Sequence, residues 1–242
     1  MNENNYLTQY KKNLLLRGYS DKTQIAYISL LSRYFKHYGG KLENDSSTQI
    51  KDYLHYLLQV KKVSRSLMNQ CYSALKFFYT TTLKANWENL KIPYVKHTKR
   101  LPEILSRKEI QSVLDCTGNI KHKAMLMVVY SAGLRVSEAA ALKVTDIDSK
   151  TNTIKVVEGK GKKDRFTLLS EKTLIALRQY YLLFRPKIWL FENPANHRPL
   201  NVSTFQKVFK NATLKARINK HVSIHSLRHS FATHCAPVMV NR

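Results

Sequence analysis

The stretch GLRVSEAAAL, residues 133–142, organises the reading of this chain. Gly133 ends one helical run, Arg135 opens the next turn, and Glu138 follows three residues later on the same face. Two readings stay open here. An intrahelical Arg–Glu pair on a surface is common and contributes little. Alternatively, Glu138 orients Arg135 and leaves its guanidinium fork to grip a phosphate through two parallel hydrogen bonds.

Downstream, TNTIKVV (151–157) and RFTLL (165–169) have the β-branched or alternating pattern of strands. The connector EGKGKKD carries two glycines and reads as a hairpin turn. Lys160 at its tip could donate a proton to a leaving oxygen, contact a phosphate, or only face solvent. The turn is not a Walker loop: the GxxxxGK[ST] spacing is absent, and two strands flank it rather than a strand and a helix.

Further on comes HSLRHSFATH (225–234). His225, Arg228 and His229 are spaced i, i+3, i+4, which puts them on one helical face. Two imidazoles and a guanidinium suit an oxyanion or phosphate. A buried, satisfied histidine pair is a competing reading. A zinc site from His225, His229, His234 and Cys235 is a third, with no HExxH motif or CxxC partner to support it.

Upstream, residues 5–84 read as four short helices forming a bundle. Ile25, Ile28, Leu31, Phe35 and Tyr38 recur at steps of three and four, and Gly39 and Gly40 end that helix. Ser46 with Gln49 looks like a capping box, and Ile50, Leu54, Leu57 and Leu58 continue it. Leu67, Cys71, Ala74, Leu75 and Phe78 repeat the period. NLKIPYVKHTKRLPEIL (89–105) breaks it with two prolines and a basic run, as a linker does. Ser106 and Glu109 form a capping box that starts a second region. Residues 120–132 read as a buried helix, and further helices are expected at about 170–183, at 202–217 and from Ser226. The expected organisation is a helical domain over 1–88, a linker over 89–104 and a second domain over 105–242. The fold class is mainly α with a small antiparallel β-sheet.

The 242 residues carry 41 Lys and Arg against 16 Asp and Glu, a formal net charge of +25. Such an excess repels itself unless an anionic partner takes it up, and nucleic acid is the commonest such partner. The charge is spread along the chain, which favours folded basic surfaces over a basic tail. Three scattered cysteines suit reduced thiols, and no run approaches the roughly 18 apolar residues of a membrane span. The N-terminus lacks a secretory hydrophobic region, so a cytoplasmic protein is expected. A generic RNA-binding role finds no supporting signature, since the aromatics fall on helix faces.

The order of these elements adds what no single one gives. RLPEILSRKEI, YSAGLRVSEAAALKVTDID, GKGKKDR and HSLRHSFATH together resemble the tyrosine recombinases, of the phage-integrase and Xer type, over nearly the whole chain. The resemblance implies a SAM-like core-binding domain followed by an integrase-type catalytic domain, clamped on double-stranded DNA. It implies that Arg135 and Arg228 clasp the scissile phosphate and Glu138 supports Arg135. Lys160 would be the general acid, His225 would assist proton transfer and His229 would support the site. No metal or other cofactor is called for, and protomers would contact one another on DNA. The family's nucleophile is a tyrosine downstream of His-x-x-Arg. Here nothing from residue 182 onward is a tyrosine, and CAPVMVNR follows HSFATH, with Pro237 expected to disfavour helix. A truncated gene, an incomplete chain or a substitute residue would each account for this, Tyr180 being better suited to core packing. The expectation is a recombinase that lacks cleavage, or a non-catalytic remnant that occupies recombination sites.

Overall fold

The computed structural model describes residues 3–40, 46–88, 91–92, 101–157 and 164–239, with the backbone alone at 46 and 236–239. The chain divides into two units, Met1–Lys99 and Arg100–Arg242.

In the first unit the described helices are α1 (Glu3–Leu16), α2 (Asp21–His37), α3 (Ser46–Gln59) and α4 (Arg65–Thr81). The Ser20 and Ser64 hydroxyls accept the N–H groups of Thr23 and Leu67, satisfying donors that a helix start leaves open. α2 ends at the tandem glycines: both have positive φ, and the Gly40 N–H reaches back to the Phe35 carbonyl. The buried stripe of α2 is Gln24, Leu30, Leu31, Tyr34 and Phe35. Ile25, expected on it, is 69% exposed. At 3.6 residues per turn it lies about 120° around the helix from Leu31, beyond the stripe's edge. The cap expected from Ser46 rests on a side chain outside the described residues.

Rings dominate this core. Tyr10, Tyr34, Phe35, Phe78 and Tyr79 are fully buried, and Phe35 meets Phe78 edge to face at 5.6 Å. The buried hydroxyls find partners, as burial requires. Tyr10 donates to the Ala74 carbonyl at 2.9 Å. Tyr34 donates to Gln49 Oε1 at 3.1 Å and lies 2.8 Å from the Tyr79 hydroxyl.

The second unit contains α5 (Arg107–Asp115), α6 (Ile120–Ser131), α7 (Val136–Ala140), β1 (Ile147–Asp148), β2 (Thr153–Val156), β3 (Arg165–Leu168), α8 (Glu171–Phe184), α9 (Val202–Lys215) and α10 (Ile224–Met239). The Ser106–Glu109 capping box forms in full. Buried side chains surround α6, as a central helix requires, and α8, α9 and α10 pack on it. β1–β2–β3 form an antiparallel sheet in that order. β1 is two residues long, too short for any alternation to mark it in the sequence.

Ile154 and Val156 are buried, and Thr167 and Arg165 face them in register. Because side chains alternate along a strand, Arg165 and Thr167 share the inner face, while Phe166 and Leu168 are 71% and 68% exposed. The α10 helix is tied to the segment before α5: the Leu105 N–H donates to Ser230 Oγ at 2.9 Å. Contrary to the expectation from Pro237, α10 continues to Met239. A proline removes one N–H and crowds the carbonyl four residues back, which can bend a helix without ending it. No helix among the described residues is long and apolar enough to cross a membrane.

Candidate functional site

The corner between α6 and α7 assembles the site. After α6 ends at Ser131, Gly133 turns the chain with φ +58°. Arg135 precedes α7 in an extended conformation, and Glu138 reaches back to it. Glu138 Oε2 accepts the Arg135 N–H at 2.8 Å, and Oε1 accepts the Arg135 guanidinium at 2.6 Å. The carboxylate thus caps a short helix and holds the arginine that starts it.

Two more guanidinium groups gather on the same carboxylate. Arg165 at the start of β3 engages both oxygens, Nη1 to Oε1 at 3.0 Å and Nη2 to Oε2 at 2.7 Å. Arg228 of α10 approaches Oε2 at 3.7 Å, and its Nη1 donates to the Gly133 carbonyl. The Glu138 side chain is only 6% exposed, whereas those of Arg135, Arg165 and Arg228 are each about one-third exposed. Burial alone would raise the Glu138 pKa. The hydrogen bonds from Arg165 and Arg135 overcome that and hold it at about 2. Burial, followed by repulsion from Arg135, pulls Arg228 below its usual value.

Three of the residues singled out in the sequence, Arg135, Glu138 and Arg228, therefore converge. Arg165 was missed as a member. It lies 27 residues from Glu138, and its one sequence signal is its place at the head of the strand after the lysine-rich turn. Lys160 lies outside the described residues. His225 and His229 are exposed and line a shallow hollow with Pro102, Glu103 and His221, while Arg228 turns from the same helix toward Gly133.

His234 Nδ1 is 2.9 Å from the Tyr130 hydroxyl. Among the described residues no group of three or more His, Cys, Asp or Glu is arranged to hold a metal ion. Tyr180 is 1% exposed and packs on Phe184 and Phe191, and burial, with the Glu192 charge, pushes its pKa up to about 12. Chemically, the arrangement is a buried anion that orders cations whose outer edges reach solvent, which suits an external oxyanion.

Residues 103–240 match the phage integrase family, and residues 6–89 match the phage integrase N-terminal SAM-like domain. The chain belongs to the phage integrase family. A tyrosine recombinase XerA of Pyrococcus horikoshii is 32% identical over 234 residues, covering 94% of this chain and 78% of that protein. A tyrosine recombinase XerD of Rickettsia bellii is 31% identical over 256 residues, covering 95% and 79%.

Among solved structures, a XerA recombinase matches at 27% identity with a TM-score of 0.53, over 97% of this chain and 84% of the other. A lambda integrase dimer bound to a COC′ core site matches with a TM-score of 0.79 over 99% and 91%. At 16% identity that likeness shows the integrase fold, SAM-like domain included.

Proposed function

We propose that this integrase binds double-stranded DNA in the cytoplasm and serves site-specific recombination, with the α6–α7 corner receiving one backbone phosphate. The observation that carries the reading is the sharing of one buried, ionised carboxylate by Arg135 and Arg228, two arginines distant in sequence with one-third of each side chain still exposed. In this reading the two guanidinium groups hold the phosphate oxygens and neutralise charge as the phosphorus becomes pentacoordinate. Glu138 keeps Arg135 oriented. Lys160 protonates the departing 5′ oxygen, His225 assists proton transfer, and His229 supports it. The arginines supply the positive charge, so the reading calls on no metal. Protomers would meet on DNA, as those of the lambda integrase dimer and tetramer do in their complexes.

Strand cleavage in this family needs a tyrosine hydroxyl to attack phosphorus, forming a phosphotyrosyl bond while the 5′ oxygen leaves with a proton. Residues 182–242 contain no tyrosine, and Tyr180 is buried. These 242 residues by themselves are therefore proposed to bind and polarise the phosphodiester without bonding to it.

A nicked suicide duplex tests both parts. Expected are DNA binding with a steep salt dependence, no covalent adduct, and weaker binding after Arg135→Ala with Arg228→Ala. A protein–DNA adduct would overturn the non-covalent part. Unchanged affinity in the double variant would overturn the phosphate site, and equal affinity for RNA and duplex DNA would overturn duplex DNA as the partner in favour of generic RNA binding.

A further inference from the structure

We infer that Arg165 is a positioning residue for DNA phosphate recognition, acting through Glu138 on Arg135 and Arg228; this rests on the phosphate-site reading above. Three observations support it. Arg165 meets the carboxylate as a fork, with both terminal nitrogens on both oxygens, whereas the Arg135 guanidinium touches it through Nη1 alone. A bidentate pair fixes the plane of the carboxylate as well as its position. The oxygen orientation that receives the Arg135 N–H and guanidinium is therefore set from β3.

Arg165 also does not act alone in docking the sheet. Thr167, on the same face of β3, donates to the Ala132 carbonyl at 2.9 Å. Two inward side chains of one strand thus fasten the sheet to both sides of the Gly133 turn, at Ala132 and Glu138. The turn that presents the Gly133 carbonyl to Arg228 is held between them.

The charge balance points the same way. Arg135 and Arg228 repel each other, and a buried carboxylate would tend to take up a proton and stop holding either. The hydrogen bonds from Arg165 are the foremost influence keeping Glu138 ionised against its burial. In doing so, Arg165 commits its terminal nitrogens to Glu138, leaving the phosphate to its two neighbours.

The test measures duplex DNA affinity against salt for R165Q, R165K, E138Q, E138Q/R165Q and R135Q/R228Q, each below its own melting temperature. R165Q is expected to weaken binding about tenfold. Its salt slope should fall by at most the roughly one unit that loss of a single phosphate contact gives, because Arg135 and Arg228 share one phosphate. R165K keeps the charge but not the fork, so it should fail to restore binding. E138Q/R165Q should bind no more weakly than E138Q. Wild-type binding by R165K, or an R165Q effect undiminished in the E138Q background, overturns the inference in favour of a plain charge or a direct phosphate contact. Unchanged binding by R135Q/R228Q instead overturns the phosphate site itself, and the role of Arg165 with it.

Discussion

The guanidinium of Arg228 donates a hydrogen bond to the backbone carbonyl of Gly133, 95 residues earlier in the chain. The same glycine has φ +58°, and a Cβ built on it would lie 2.3 Å from Cδ1 of Phe231, on α10 with Arg228. The α10 helix therefore docks on Gly133 twice, by a polar contact to its carbonyl and an apolar one against its bare Cα.

Gly133→Ala should consequently be severe. A left-handed conformation costs an alanine roughly 1–2 kcal/mol, and forced overpacking adds about 1–3 kcal/mol. A loss of about 3 kcal/mol in urea unfolding is expected, with weaker DNA binding by the fraction that remains folded, because the helix carrying Arg228 is displaced. Stability within about 0.5 kcal/mol of wild type would show that α10 does not seat as described.

Glu138→Ala leaves three guanidinium groups facing one another. Removing one side of a buried ion pair typically costs about 3–5 kcal/mol, and the partial exposure of the arginines puts this case near the lower end. Denaturation of E138A, R165A and the double variant checks it. The double variant should lose clearly less than the two single losses combined, because both act through one interaction.

The carboxylate also sets a pH signature. Its folded pKa of about 2 lies below the ordinary 4.5, so its contribution is complete above the ordinary value and is lost as pH falls toward 2. The stability gap between wild type and Glu138→Gln should be widest near neutrality. It should shrink steadily on acidification through 4.5, as read from urea midpoints. A gap independent of pH would mean that Glu138 is not held ionised by the arginines.

Ser230 is fully buried, accepting the Leu105 N–H at 2.9 Å and donating to the Ser226 carbonyl at 2.7 Å. Ser230→Ala strands the Leu105 donor and should cost about 1–3 kcal/mol. Hydrogen exchange at Leu105 should accelerate in that variant; unchanged protection would contradict the contact.

In the helical bundle, Tyr34→Phe removes a hydroxyl placed between Gln49 and Tyr79. A loss of about 1–2 kcal/mol is expected in thermal unfolding, with the ring packing retained. Tyr34→Leu should lose more, because the edge-to-face contact with Tyr53 at 5.0 Å goes too.

Much of this fold is legible from short-range chemistry. The Ser106–Glu109 capping box, the glycine stop after α2 and the apolar run of α6 from Ala124 to Val129 each depend on residues within about four positions of one another, where helix geometry is fixed. The Arg135–Glu138 bonds are of the same kind. Readings failed where a local rule met a wider context. Ile25 fits a three-and-four spacing yet falls off the buried stripe, because the bundle decides where the centre of that stripe lies. Pro237 signals a stop, yet α10 continues to Met239.

The sequence by itself determined the helical periodicities, the strand pair, the basic charge and the motifs that resemble the tyrosine recombinases. Tertiary structure alone decided that Arg165 and Arg228 share Glu138 with Arg135, and that Gly133 seats α10. The reason is range: periodicity and caps express forces between near neighbours in the chain. The meeting of side chains 27 and 95 residues apart depends on how β3 and α10 pack against the α6–α7 corner, which no local pattern encodes.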